Sequence, residues 1–338
     1  MNKKKIVFII NPKSGNGNKA DVLSIIKSEL DAEKFECIIR FTEYSGHAAV
    51  IASEAVADGA YIVVAVGGDG TVNEVARSLV HTDTALAIIP MGSGNGLARH
   101  LTIPINAKRA VRLINKCEIH TLDYGKINDI PFFCTCGMGF DAVVSMQFAH
   151  AGRRGPTTYW EKVLNEVVKY KPETYEIEDE EGKKTYKAFL ITCANASQWG
   201  NNAYIAPHAS MSDGMMDVII VEPFNAFDAP LLATQLFSKT IESHSRIKHF
   251  RSKKIHIHRA KSGVIHFDGD PVMTEADVTV EMISQGIKVV VNPRKHPNRN
   301  QQSDDDTTRS FSLQNPITLL NTPLYYLKEF FRIPTKPF

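Results

Sequence analysis

The sequence predicts two domains: an N-terminal α/β domain with a mostly parallel sheet, then a β-rich, sandwich-like domain. Three observations predict this. The first third alternates apolar strands with helical patterns, the loops after those strands are rich in Gly, Ser, Thr and Asn, and the later chain turns to short alternating strands. The alternating units are "KIVFII" then "ADVLSIIKSEL", "FECIIRFT" then "HAAVIASEAVADG", "YIVVAV" then "TVNEVARSLV", and "ALAIIP" then "GLARHL". This spacing implies right-handed βαβ units and an open parallel sheet, whose ligands bind outside the strands' carboxyl ends. Those ends carry "NPKSGNG", "TEYSGHA", "GGDGT" and "PMGSGNG".

The third loop is the most informative. Gly67 and Gly68 strip side chains from the strand end, and Thr71 followed by Glu74 reads as a capping box opening a helix. Such a turn offers backbone N–H groups and a helix N-terminus to an anion. No Walker-type "GxxxxGK[ST]" occurs, and "GSGNG" fails the strict dinucleotide spacing. Asn11, Ser14 and Gly15 supply small donors, while Gly67, Gly68 and Gly70 permit close backbone approach. Asp69 stands against this pattern. A carboxylate among phosphate-binding amides repels the ligand unless a divalent cation or a proton-transfer role compensates, so it argues for Mg²⁺ or general-base chemistry.

After about Leu122 the segments "YEIEDEEGKKTYKAFLITCA", "KKIHIH", "VIHFDGD", "VTVEMI" and "IKVVVN" follow as hairpins and short strands. Two amphipathic stretches, "PTTYWEKVLNEVVKY" and "NAFDAPLLATQLFSKTIESH", are expected to pack on their faces. The expected organisation is 1–122, 123–292, a disordered linker 293–310 and an amphipathic aromatic tail 311–338. The tail mixes Leu, Tyr and Phe with Lys328, Arg332 and Lys336. Two placements fit it: the interface of a bilayer, or docking on the body or across a homodimer.

Lys and Arg total 39 against 37 Asp and Glu, a net charge of +2 that gives no reason to expect nucleic acid. Five cysteines and a short apolar N-terminus fit a reducing cytoplasm, and the tail at a bilayer would add peripheral contact at the membrane's inner face. Cys134 and Cys136 read as core, and His256 with His258 lack a partner that would make a metal site.

The motifs "NPKSGNG", "GGDGTVNEV", "PMGSGNGLARHL", "GMGFDA", "SDGMMDV" and "FDGD", in this order over residues 4–292, resemble the diacylglycerol kinase and sphingosine kinase family of lipid kinases. The resemblance implies ATP and Mg²⁺ as cofactors, a cleft between the two domains, and a lipid hydroxyl at a membrane surface as acceptor. It makes Asn11, Pro12, Ser14 and Gly15 phosphate-loop residues and Thr42 a nucleotide contact. Gly67, Gly68, Asp69, Gly70, Thr71 and Asn73 become the central nucleotide loop, completed by Ser93 and Asn95. The base is Asp268 by analogy with bacterial members, or Asp69 by analogy with sphingosine kinases. Asp213, the Met215 carbonyl and Asp217 match a structural Mg²⁺ loop. Asp141 matches an acid that pairs with the amine of a sphingoid base, so diacylglycerol and a sphingoid base both stand as acceptors. Two positions depart from the pattern: Asp270 stands where Glu is usual, and Gly96 where bacterial diacylglycerol kinases have Asp. The alternatives are a non-catalytic lipid-binding protein of the same fold, suggested by Gly96, and a NAD kinase, which shares "GGDG".

Overall fold

The computed structural model describes residues 3–14, 19–151, 170–225 and 227–292. Gly15, most of the amphipathic segment 156–170, the linker 293–310 and the tail 311–338 lie outside the described residues.

Strands β1 (Lys4–Ile10), β2 (Phe35–Phe41), β3 (Ile62–Gly67) and β4 (Ala85–Pro90) run parallel in the order β2-β1-β3-β4. β3 and β4 are buried along their whole length, as strands covered on both faces must be. Five helices connect and cover them: α1 (Lys19–Glu29), α2 (His47–Ala57), α3 (Asp69–Leu79), α4 (Gly96–His100) and α5 (Ala107–Ile114). α1 packs on α5 and α2 on α3. Because β1 lies between β2 and β3, the strand order reverses there and opens a crevice beyond the carboxyl ends of β1 and β3.

The rest of the chain adds β5 (Ile119–Ile127), β6 (Ile130–Phe132), β7 (Thr135–Gly139), α6 (Phe140–Ala151), β8 (Glu173–Asp179), β9 (Gly182–Ala188), β10 (Leu190–Ala194) and β11 (Met216–Val221). It continues with α7 (Ala229–Ser238), β12 (Ile247–Ser252), β13 (Lys254–Arg259), β14 (Gly263–Phe267), β15 (Asp270–Thr274) and β16 (Asp277–Val290). A six-stranded antiparallel sheet, β12-β11-β10-β7-β14-β15, faces the antiparallel half of the first sheet. Period-2 alternation divides its residues cleanly. Ile191, Cys193, Val218 and Ile220 fill the sandwich core, whereas Leu190, Ala194, Ile219 and Val221 face a second apolar layer that includes Leu232 and Leu236 of α7. Each such buried side chain contributes about 1.5–3 kcal/mol.

The two halves share a sheet. β16 pairs with β13 and β5 antiparallel and meets β4 in parallel at Val289 and Leu86. The boundary expected after Leu122 therefore falls inside β5, and the last described strand returns to the first sheet. This continuity fixes the crevice of the parallel strands against the turns of the sandwich.

Candidate active site

The crevice is built by close approach of bare backbone. A Cβ on Gly67 would lie 2.5 Å from Cβ and Oγ1 of Thr71, so only glycine lets that hydroxyl fold back over the strand end. There Thr71 Oγ1 accepts from Asn11 Nδ2 at 3.1 Å, joining the first loop to the third. Gly68 and Gly92 face each other so closely that a Cβ on Gly92 would come within 2.5 Å of the Gly68 Cα. A Cβ on Gly70, by contrast, would meet nothing within 4 Å. Gly68 is the N-cap of α3 and offers no side-chain cap, so the first turn of that helix receives no acceptor from its cap residue.

The first loop is held by Asn11, whose Oδ1 accepts from Lys13 N and whose carbonyl accepts from Ser14 Oγ at 2.9 Å. Pro12 is exposed, and Thr42 is buried at the end of β2 with its N–H on the Ile10 carbonyl. Asn95 caps α4 in the left-handed region and spends its side chain on Gly92, accepting from its N–H and donating to its carbonyl. Ser93 is the exposed member of that loop.

Asp69 sits in the first turn of α3 and caps another helix. Its Oδ2 accepts from Asn95 N at 2.8 Å and its Oδ1 from Gly96 N at 2.7 Å. A Cβ on Gly96 would lie 3.2–3.3 Å from Cys134 Sγ and the Trp199 and Gln198 carbonyls, so a larger residue here must displace the neighbouring loop. Burial pushes the Asp69 pKa above the ordinary carboxylate range; the amide donors oppose this and the negative charge of Asp268 adds to it.

Asp268 arrives from the other half of the molecule. Asp268 and Gly269 both have positive φ, 47° and 92°, as a two-residue hairpin between β14 and β15 requires. Its Oδ1 accepts from Cys134 N (2.7 Å) and Thr135 N (3.1 Å), and its Oδ2 from Phe133 N (2.9 Å) and Asn73 Nδ2 (2.8 Å). Burial pushes this carboxyl up as well, against the pull of those four donors. Asn73, 2% exposed on α3, thus ties the parallel-sheet half to the sandwich, and its Oδ1 is buried without a hydrogen-bond partner.

One expectation meets a different geometry, and one expected site residue has partners of its own within the fold. Glu74 does not close a capping box with Thr71: α3 begins two residues earlier, and the Glu74 carboxylate reaches across to cap α2 through Gly46 N (2.8 Å) and Ala48 N (3.1 Å). Asp141 opens α6, but its Oδ2 accepts from Thr192 Oγ1 and lies 3.0 Å from His266 Nε2, while Oδ1 accepts from Ala142 N. Gly137 leaves the space for this group, since a Cβ there would stand 2.5 Å from Asp141 Oδ2. His266 and Thr192 are partners that sequence reasoning missed; the only hint was that His266 precedes Asp268 by two positions.

The structural Mg²⁺ implied at Asp213, Met215 and Asp217 does not fit the residues present. Arg251 ion-pairs with Asp213 Oδ2 and places Nε 3.9 Å from Asp217 Oδ1. Asp213 Oδ1 accepts from Met215 N, and Asp217 Oδ1 lies 2.9 Å from His249 Nε2. Among the described residues, Asp217, Glu242 and His249 bring possible metal-ligating atoms within 4.8 Å of one another, a group without Asp213.

The family model of the diacylglycerol kinase catalytic domain matches residues 5–127, and that of the YegS C-terminal NAD kinase beta sandwich-like domain matches residues 134–291. The chain is 26% identical over 276 residues to a diacylglycerol kinase of Bacillus subtilis, covering 79% of this chain and 90% of that one. It is likewise 26% identical over 243 residues to a probable lipid kinase YegS-like of Chromohalobacter salexigens, covering 70% and 78%. A putative diacylglycerol kinase from Bacillus anthracis shares the fold with a TM-score of 0.71 at 24% identity, over 86% of this chain and 98% of that one. Among the described residues, no helix is long and apolar enough to cross a membrane.

Proposed function

We propose that this chain, which belongs to the diacylglycerol kinase family of lipid kinases, transfers the γ-phosphoryl group of ATP to the hydroxyl of a diacylglycerol at a membrane surface. The observation that carries this reading is the Asn73–Asp268 hydrogen bond, 2.8 Å long, which holds a carboxylate-bearing turn of the sandwich against the bare helix start of the nucleotide crevice.

Phosphoryl transfer asks a protein mainly for positioning and charge neutralisation. The uncapped start of α3, with open space at Gly70, receives phosphate oxygens, and Asn11 with Thr71 fixes the neighbouring loop. The orphaned Asn73 Oδ1 is a hard oxygen donor that would help hold Mg²⁺, which when bound neutralises phosphate charge. Asp69 accepts the proton of the acceptor hydroxyl. Each of its oxygens carries one donor from the 95–96 amides and keeps lone pairs free, and its raised pKa brings it toward the working pH. Asp268 has its carboxylate acceptor positions filled by four donors, so it positions Asn73 and the 133–135 turn.

The neutral acceptor is favoured by Asp141, whose oxygens are committed to Ala142, Thr192 and His266 and so do not face an amine unpaired. The test is a side-by-side assay with γ-labelled ATP and Mg²⁺ on vesicles carrying diacylglycerol or sphinganine, with soluble NAD as a third acceptor. Label in diacylglycerol is the expected result. Label in sphinganine or NAD alone would overturn the acceptor.

A further inference from the structure

We infer that the acidic loop 213–217 is neutralised by the chain's own guanidinium, Arg251, and is therefore independent of a divalent cation. The proposal concerns a region outside the crevice and stands or falls separately from the phosphoryl-transfer reading.

The loop needs a cation. Asp217 is 0% exposed, with Oδ2 buried and unpartnered, and Asp213 precedes it in the turn that leads into β11. A buried carboxylate without a counter-charge is strongly unfavourable, so either an ion or a side chain must answer it. Register supplies the side chain: Asp217 of β11 lies directly opposite Arg251 of β12. From that position Nη2 reaches Asp213 Oδ2 at 2.5 Å while Nε stays 3.9 Å from Asp217 Oδ1, so one guanidinium spans the two acids. Its planar fork suits two carboxylates at once, which a lysine ammonium cannot match.

The remaining loop donors point at acids too. Met215 donates its N–H to Asp213 Oδ1 at 3.1 Å, and Gly214 donates to the buried Asp123 at 2.7 Å. Asp123 in turn accepts from Gln285 N in the bulge of β16, so the neutralised loop also braces the strand that joins the two sheets. The same Asp217 Oδ1 also faces His249, whose Nε2 lies 2.9 Å away and whose Nδ1 is 3.9 Å from Glu242 Oε2. A hard cation entering between Asp213 and Asp217 would have to displace the guanidinium.

The test is thermal unfolding and native-state hydrogen exchange at Gly214, Met215 and the 247–252 amides, in chelator and in millimolar Mg²⁺. For the unaltered chain the expectation is identical exchange in both conditions. Arg251→Ala in chelator should lower the midpoint by roughly 5–10 °C and speed exchange at those amides, with Mg²⁺ restoring a large part of both. Mg²⁺ protection of these amides in the unaltered chain would overturn the proposal, as would an Arg251→Ala protein whose loop is indifferent to Mg²⁺. Should Arg251→Ala not fold, Arg251→Lys takes its place: it keeps the charge and loses the fork, and Mg²⁺ should then slow its exchange while leaving the unaltered chain unchanged.

Discussion

The crevice around Asp69 and the loop around Asp217 both read in sequence as glycines and aspartates, "GGDGT" and "SDGMMD", yet they are built in opposite ways. In the crevice the negative charge of Asp268 helps raise the Asp69 pKa, the hydrogen bonds of both carboxylates come from amides, and Asn73 Oδ1 is left unpartnered beside an uncapped helix start. In the loop a guanidinium and an imidazole already face the charge, although Asp217 Oδ2 too is buried without a hydrogen-bond partner. The first is an arrangement that a charged ligand would complete; in the second the chain supplies the counter-charge itself.

The largest expected break in this comparison is Asp69→Asn. Removing a general base costs on the order of 10²–10⁴ in turnover, and because both Asp69 oxygens accept backbone N–H groups the new NH₂ also meets one of those donors, so some thermal stability should go with the activity. Circular dichroism melting beside the lipid-phosphorylation assay checks both halves. Asp268→Asn should lose stability as well as activity. Its new NH₂ would confront backbone donors, costing about 2–4 kcal/mol, and a denaturant midpoint measures it. Equal stability would mean that the four-donor cradle does not hold that turn.

A glycine pair sharpens the same contrast. Gly67→Ala forces a Cβ to within 2.5 Å of Thr71 and should destabilise the protein by about 1–3 kcal/mol. Gly70→Ala meets open space and should stabilise α3 by about 0.5–1 kcal/mol, yet raise the KM for ATP because it occupies the phosphate approach. A Gly70→Ala enzyme with unchanged KM would move the nucleotide elsewhere.

The pH profiles should differ between the regions. The base must be ionised, and because burial and Asp268 raise the Asp69 pKa, the acid limb of kcat/KM should lie above the ordinary carboxylate range. Asp268→Asn removes one of those causes and should move the limb to lower pH. In the loop the sign is reversed. Asp217 holds the His249 pKa up, with Glu242 aiding and burial and Arg251 opposing. That stabilisation is fully present below the unfolded histidine pKa and is lost as pH rises through the raised folded one. The smallest of these effects is thus a decline in thermal midpoint just above the ordinary histidine range, absent in His249→Asn.

Much of the crevice was legible because its determinants are local. Strand periodicity, the glycines of the βα turns and the "FDGD" hairpin each act within a few residues. What was not legible depends on register between distant segments. Glu74 reads as a cap for its own helix until α2 is seen beside it, and Asp141 reads as a match to an amine-pairing acid with no sign that β14 brings His266 to it across 125 positions. "IKVVVN" announces a strand but not that it lies beside β4, and Asp213 announces a cation but not that Arg251 supplies it 38 residues later.

The central claim is that the Asp69 crevice moves phosphate from ATP to a lipid hydroxyl. The most direct measurement is label transfer from γ-labelled ATP into diacylglycerol vesicles by the unaltered chain and by folded Asp69→Asn. The account predicts labelled lipid from the first and at least about a hundredfold less from the second. No labelled lipid from the unaltered, folded protein, or equal labelling by both, would contradict it.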